Sequence, residues 1–203
     1  MTNLSDEYLG NKIIYTGNDD FSYGYYKKLV NKYRENDCRE INFQNRVIVP
    51  FLEKLFINVV DISIVDVSMQ YKNKNSKIHD TSCYSSQQDY AAPPDLLIAH
   101  NWNYANKNNK DIDYLTVIEI KSPVLNSIND EKRYIEHTRK EIKFHLEANF
   151  KVILTDCIRW KFFDREHGVD PIQIIDLLIT DDNSDEWKHL CDYVLEFSTK
   201  KIH

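Results

Sequence analysis

Two short apolar segments separated by a polar stretch constrain the fold of this chain more than any other feature. The segments cover 96–99 and 115–120, and the residues between them are rich in Asn, Lys and Asp, which is typical of a hairpin with a long connection. Opposite residues of an antiparallel pair have numbers with a constant sum. If Asp95 lies opposite Glu119, the turn is centred near Lys107, inside the polar stretch. The sequence therefore predicts this register.

The predicted hairpin gathers two carboxylates and an ammonium at one end. Because side chains alternate between the faces of a strand, Glu119 and Lys121 share a face. Two neighbouring carboxylates repel each other, and a hard cation such as Mg²⁺ removes that cost. The cation polarises a phosphoryl oxygen and helps to ionise a bound water. Lys121 would hold or deprotonate that water, or offset charge in the transition state. The alternative interpretation of Glu119 and Lys121 is a solvated strand face of opposite charges.

Length and composition indicate one globular domain. A chain of 203 residues can bury a sizeable core, and the 42% hydrophobic and 12% aromatic content argue against disorder. The net charge of −6 disfavours a protein coated in positive potential for non-specific nucleic-acid binding. The 26 Lys and Arg residues still allow a local basic groove.

Cysteine spacing and the first residues favour a cytoplasmic protein. The four cysteines are far apart in the sequence, which disfavours a zinc site or a disulfide framework: Cys38, Cys83, Cys157 and Cys191. The first seven residues lack the basic and apolar regions of a signal peptide. No apolar segment approaches the ~18–20 residues that a membrane span requires. We therefore predict no membrane association.

Helical periodicity precedes the hairpin. Apolar spacings of three and four predict helices over 23–35 and 39–57. Glu40 lies on the inward side of the first turn of the second helix, where the helix dipole favours a carboxylate, so a dipole partner is the alternative to a site residue. Pro50 is predicted to kink this helix. A half-buried strand over 62–69 and a long polar loop over 73–90 follow, and the loop is suited to contact a nucleic-acid strand.

The second half of the chain predicts a charged helix, two further strands, a third strand and a final helix. The charged helix covers 130–148, with Ile135, Ile142 and Leu146 as its apolar stripe. The strands cover 150–156, 160–164 and 172–178. The final helix begins after 184 and carries a packing face of Trp187, Leu190, Cys191, Val194 and Leu195.

The order of several motifs along the chain resembles that of a known protein family. Pro94-Asp95 followed by Glu119-Ile120-Lys121 resembles the signature of the PD-(D/E)xK nucleases. The helix that opens with Glu40, and the strand pair over 154–163, resemble the N-terminal nuclease domain of type I restriction enzyme motor subunits. Cys157 stands where that family usually has glycine. The family's second core helix often carries a Gln-x-x-x-Tyr element, and the approximate region here holds Lys140 and Phe144, or Arg139 and Lys143.

The resemblance implies an α/β fold with a restriction-endonuclease-like core, in which helices flank a central mixed β-sheet. The nuclease core would cover 39–180, between an N-terminal helical extension over 1–38 and a C-terminal packing helix over 181–203. It also implies an Mg²⁺ ion, replaceable by Mn²⁺, bound by Asp95, Glu119 and the carbonyl of Ile120, with Glu40 reaching the ion directly or through water. Lys121 would orient the attacking water.

The activity implied is cleavage of DNA phosphodiester bonds by an endonuclease, in restriction or defence. RNA cleavage by the same site and a nuclease-like module that binds nucleic acid or a partner without cutting are the alternatives. A homodimer or a partner subunit is compatible with the family. The predicted nucleic-acid contacts are Gln44, Arg139, Lys140 and Lys143.

Overall fold

The structure is a computed structural model, and it describes residues 21–67, 94–103, 112–123, 128–149, 151–177 and 184–200. The predicted polar loop over 73–90, the turn of the central hairpin and the first twenty residues of the predicted N-terminal extension lie outside the described residues. None of the helices in the described part combines the length and the hydrophobicity needed to cross a membrane.

The described residues contain five α-helices, whose bounds lie within a few residues of the predicted helices; two of them fall within the predicted helix over 39–57. In chain order they are α1 (Tyr23–Asn36), α2 (Glu40–Phe43), α3 (Val49–Leu55), α4 (Ile128–Ala148) and α5 (Ser184–Thr199). The hydroxyl of Ser22 caps α1 by accepting a hydrogen bond from the N–H of Tyr25 at 3.3 Å. The five predicted packing residues of α5 are all buried.

A π-helical segment, Gln44–Ile48, joins α2 to α3 and makes 40–55 one continuous helical body. The N–H of Val49 bonds to the carbonyl of Gln44, five residues earlier. Pro50 has no N–H to continue the α-helical ladder, and it occupies the first turn of α3, where a missing donor costs little. The predicted disturbance at Pro50 is therefore accommodated by a widened turn just before the proline.

The sheet has six strands in chain order, β1-β2-β3-β4-β5-β6. They are β1 (Ile62–Asp66), β2 (Leu96–His100), β3 (Asp113–Ile120), β4 (Lys151–Thr155), β5 (Arg159–Asp164) and β6 (Gln173–Asp176). Strands β3 and β4 are parallel and are connected through α4, whereas every other neighbouring pair is antiparallel. The mixed sheet flanked by helices is thus confirmed.

Helices cover both faces of the sheet, and alternation along β3 divides the core in two. Ile118 and Ile120 pack in the larger core with residues of α1, α3 and α5, whereas Val117 packs in the smaller core with Ile142 and Leu146 of α4. Glu119 has the same strand parity as Val117 and therefore faces α4. Helix α4 therefore packs over the face of the sheet that carries Glu119.

Cys157 adopts a left-handed backbone, with φ of 70°, in the turn between β4 and β5. This is a conformation that glycine adopts without cost and other residues seldom do. A residue of α1 stabilises the turn, because the buried hydroxyl of Tyr26 donates a hydrogen bond of 2.8 Å to the carbonyl of Cys157. The tight turn expected of a glycine is therefore formed by cysteine.

The predicted hairpin register is confirmed at the end of the hairpin that carries Asp95 and Glu119. Leu96 pairs with Ile118, and Leu97 pairs with Val117, which are the pairs that the Asp95–Glu119 register requires. The register shifts by one residue between Ile98 and Ala99. The irregularity is a β-bulge toward the far end of the hairpin, so it leaves the site end unchanged.

Candidate functional site

The candidate site lies where β2 begins and β3 ends. Asp95 precedes β2, and its Oδ2 accepts a hydrogen bond of 2.7 Å from the N–H of Ile120, the last residue of β3. Glu119 is the neighbouring residue on β3, and its charge, after burial, is the second cause that raises the pKa of the Asp95 carboxyl. The register thus brings the two predicted acidic residues to one place.

Glu119 is buried, and both of its oxygens have partners. Its Oε1 lies 2.5 Å from Nζ of Lys121, and its Oε2 lies 3.3 Å from Nε2 of His145 on α4. The imidazole of His145 is completely buried. Because a carboxylate only accepts hydrogen bonds, Nε2 of His145 must carry the proton in this contact. The His145 side chain therefore orients Glu119 from the helix.

Lys121 is held between two carboxylates from different elements. Its Nζ lies 3.1 Å from Oε2 of Glu141 on α4, in addition to its contact with Glu119. All three side chains are buried, with relative exposures of 6–8% for the residues. On the solvent side, Nδ1 of His137 lies 3.4 Å from Oε1 of Glu141. A continuous series of charged and hydrogen-bonding side chains therefore connects the end of β3 with α4: His145, Glu119, Lys121, Glu141 and His137.

Glu40 approaches the same strand end from the other side of the site. It is exposed in the first turn of α2, and its Oε1 accepts a hydrogen bond of 3.3 Å from the N–H of Ser122. Its negative charge contributes to raising the pKa of both Asp95 and Lys121. Glu40 can therefore interact favourably with the dipole of α2 and also belong to the site.

The protonation states within the site differ sharply. Burial, followed by the charge of Glu119, raises the pKa of Asp95 to about 8, against the opposing effect of the Ile120 N–H. Burial alone would lower the pKa of Lys121, but the charge of Glu119 and then its hydrogen bond outweigh burial and raise it. Burial also opposes ionisation of Glu119, and the contacts with His145 and Lys121 nevertheless lower its pKa. Lys121 is therefore an ammonium and Glu119 a carboxylate at neutral pH.

The oxygen atoms of these residues are of the kind that bind a hard divalent cation. One contact in the structure competes with such a cation. Carboxyl groups from α2, from the residue before β2 and from β3 act on one another: burial first, and then the negative charges of Glu119 and Glu40, raise the pKa of Asp95, and a cation would offset those charges. No three His, Cys, Asp or Glu side chains in the described part of the chain are already arranged as a metal site. The competing contact is that of Lys121, which occupies Oε1 of Glu119.

The predicted nucleic-acid contacts divide into two groups. Arg139, Lys140 and Lys143 are exposed on α4, where Arg139 also lies 3.7 Å from Asp170, and their role stays a prediction. Gln44 is only 3% exposed, and its buried amide nitrogen has no hydrogen-bond partner among the described residues. Gln44 lies one helical turn beyond Glu40 and presents almost no surface to a ligand.

Sequence reasoning did not identify Glu141 and His145. It placed the site-facing pair of α4 at Lys140 and Phe144, or at Arg139 and Lys143, one or two positions away from the pair found. The signal was available, because Glu141 and His145 are four residues apart and flank the apolar stripe formed by Ile142 and Leu146. That stripe fixes which face of α4 points to the sheet.

The fold and the cluster together define a mixed α/β domain with an acid–lysine–histidine cluster at one end of its central hairpin. No family model, curated protein or solved structure matches the chain.

Proposed function

We propose that the protein is a metal-dependent endonuclease of the PD-(D/E)xK type that hydrolyses phosphodiester bonds in DNA in the cytoplasm, in restriction or defence. The observation that carries the proposal is the convergence of Asp95, Glu119 and Lys121 at one hairpin end, with Glu40 bonded to the segment that follows. A restriction-endonuclease-like core is the fold that this proposal entails.

Asp95, Glu119, the carbonyl of Ile120 and Glu40 would hold the cation. When bound, a divalent cation polarises the phosphoryl oxygen and lowers the pKa of water. Lys121 is kept as an ammonium by its two carboxylate neighbours. An ammonium can hold the attacking water and offset developing negative charge. These two roles are therefore proposed for Lys121, and the role of a general base is not. His145 holds Oε2 of Glu119 and so fixes the direction of that carboxylate.

Metal binding should be visible as a change in thermal stability. We expect Mg²⁺ or Mn²⁺ at about 100 times its Kd to stabilise the fold by about 2.7 kcal/mol. For a domain of this size such a gain raises Tm by roughly 5–10 °C. Differential scanning fluorimetry with and without metal measures it, and Asp95→Asn is the control that should respond far less. A melting curve unchanged up to millimolar metal would count against the site.

Cleavage assays test the reaction itself. Supercoiled plasmid, linear duplex DNA and a structured RNA are incubated with Mg²⁺ or Mn²⁺ and either wild type, Asp95→Ala or Lys121→Ala. Loss of one charge-stabilising group should reduce the rate about 10²-fold or more. Glu196→Ala and Lys188→Ala are matched exposed controls on α5 that should retain activity. Cleavage that survives both site substitutions would show that the site has been misassigned.

A non-cleaving module that binds nucleic acid or a partner, either a second copy or another subunit, is the second candidate. One observation favours it: both oxygens of Glu119 are engaged by Lys121 and His145. Retention of DNA in a gel-shift assay, together with no cleavage of any substrate in either metal, would support this candidate over the endonuclease. Cleavage restricted to the RNA substrate would support the RNA alternative.

A further inference from the structure

Lys121 lies between two buried carboxylates, of which the nuclease proposal uses only one. Its Nζ is 2.5 Å from Oε1 of Glu119 and 3.1 Å from Oε2 of Glu141. Glu141 is 8% exposed, and burying a carboxylate is costly unless a partner compensates it. Only Oε1 of Glu119 accepts a hydrogen bond from Nζ, whereas the contact with Oε2 of Glu141 is an ion pair and that oxygen has no hydrogen-bond partner among the described residues. The two carboxylates belong to different elements, β3 and α4, and lie on two sides of the ammonium.

We propose that Glu141 is the alternative acceptor that receives Lys121 when a divalent cation binds. In the structure the ammonium lies against Oε1 of Glu119. Transfer of the ammonium to Glu141 would make Oε1 available as a ligand. This inference rests on the proposed function, and it makes Glu141 a positioning residue that acts through Lys121.

The surrounding contacts make this transfer a small movement. Oε2 of Glu119 lies 3.3 Å from Nε2 of the buried His145, whereas the ammonium on Oε1 has a second carboxylate oxygen within 3.1 Å, so Oε1 is the oxygen whose partner can be exchanged. Oε1 of Glu141 lies 3.4 Å from His137, which leaves Oε2 for Lys121. The lysine side chain has a flexible four-carbon stem and a compact ammonium, so it can change partner without displacing the backbone. Each carboxylate thus has one oxygen held by a histidine and one shared with Lys121.

A double-mutant cycle in metal binding tests the transfer. Mn²⁺ affinity is measured by calorimetric titration for wild type, Glu141→Gln, Lys121→Met and the double variant, each checked for folding by circular dichroism. Loss of a charge-assisted acceptor should weaken Mn²⁺ binding of Glu141→Gln about tenfold or more relative to wild type. Lys121→Met should bind Mn²⁺ at least as tightly as wild type, because nothing competes for Oε1. The double variant should lie within about twofold of Lys121→Met.

A second variant makes the test independent of Lys121→Met, which loses a buried cation. Glu141→Asp keeps the negative charge but withdraws the carboxylate by one methylene. Transfer predicts weaker Mn²⁺ binding for Glu141→Asp, whereas a role through charge alone predicts no change. Glu136→Gln, an exposed substitution on the same helix, should bind Mn²⁺ like wild type.

The outcomes separate this inference from the proposed function. If wild type binds Mn²⁺ and Glu141→Gln weakens binding equally with and without Lys121, Glu141 acts as a ligand or through its charge, and the transfer is refuted while the metal site stands. Unchanged binding by both Glu141→Gln and Glu141→Asp also refutes it. If wild type binds no Mn²⁺ at millimolar concentration, the proposed function fails and the inference fails with it.

Discussion

Replacing Lys121 with methionine is expected to lower the free energy of unfolding by about 3–5 kcal/mol at pH 8 in the absence of divalent metal. The Lys121 ammonium is the shared partner of Glu119 and Glu141, and all three residues are buried. Methionine fills much of the space of the lysine stem, so the loss reports the missing charge more than a cavity. What remains is a pair of buried carboxylates without their cation.

The loss should shrink on acidification. Without Lys121 the folded variant favours protonated carboxyl groups, so above the usual carboxyl pKa it binds more protons than the unfolded chain, and its stability falls as pH rises. In wild type the pKa of Glu119 is lowered, and that contribution to stability is lost as pH falls. Urea unfolding at pH 5 and pH 8, followed by circular dichroism, measures the difference.

Lys140→Met is the matched control, because Lys140 is exposed on α4. We expect its effect to stay within about 0.5 kcal/mol at both pH values. A Lys121→Met variant that loses less than about 1 kcal/mol at pH 8, and whose loss does not change with pH, would mean that water and not the two carboxylates solvates Lys121.

The site end of the hairpin could be predicted because two constraints act on it together. Strand alternation has a period of two residues, and the polar connection limits where the turn can fall, so the Asp95–Glu119 register was accessible from sequence. The β-bulge between Ile98 and Ala99 was not predicted, because it depends on how β2 twists against both of its neighbours.

The partners of Lys121 on α4 were harder to predict, for a physical reason. Charged residues on a helix usually face water, and α4 has many of them, so charge alone does not distinguish Glu141 from its exposed neighbours. Glu141 is buried because Lys121 meets it from a strand twenty residues earlier in the chain. A tertiary ion pair of this kind overrides the local rule. The apolar stripe of Ile142 and Leu146 was the better guide to the helix phase.

Pro50 and Cys157 are positions where local rules predicted a problem and the structure supplied the solution. Proline predicted a kinked helix, and the widened π-helical turn before it accommodates the missing donor. A non-glycine residue made the turn after β4 less predictable, and Cys157 nevertheless adopts a φ of 70° there. In both cases surrounding packing decides the outcome, which single-residue preferences do not encode.

Asp95→Asn is expected to stabilise the metal-free protein at pH 8.5, although it removes a predicted metal ligand. Burial and the charge of Glu119 raise the pKa of Asp95 from 3.8 to about 8. Such a change corresponds to a ceiling of about 6 kcal/mol. Water reaches the half-buried carboxylate, so we expect a gain of about 2–4 kcal/mol for the variant. Asparagine can still accept the hydrogen bond from the N–H of Ile120.

The pH dependence gives the sign of this effect. Between pH 4 and 8 the folded wild type holds a proton on Asp95 that the unfolded chain has released, so wild-type stability falls as pH rises through this window. The variant has no such group, and its advantage over wild type should therefore grow from near zero at pH 4 to its full value above pH 8. Urea unfolding at several pH values measures this difference, with the exposed Asp170→Asn as the control that should follow wild type.

Divalent metal should offset the stability advantage of the variant, and at about 1,000 times its Kd, where binding contributes about 4.1 kcal/mol, it should reverse the order of stability. A cation at the site favours the ionised Asp95 carboxylate, which burial and the charge of Glu119 disfavour in its absence. At pH 8.5 we therefore expect Mg²⁺ to stabilise wild type, by the amount that its occupancy allows, and to leave Asp95→Asn nearly unchanged. A variant less stable than wild type at pH 8.5 without metal would mean that Asp95 serves mainly as an ionised acceptor for Ile120. The carboxylate would then be part of the scaffold of the hairpin, and its negative charge would no longer point to a cation.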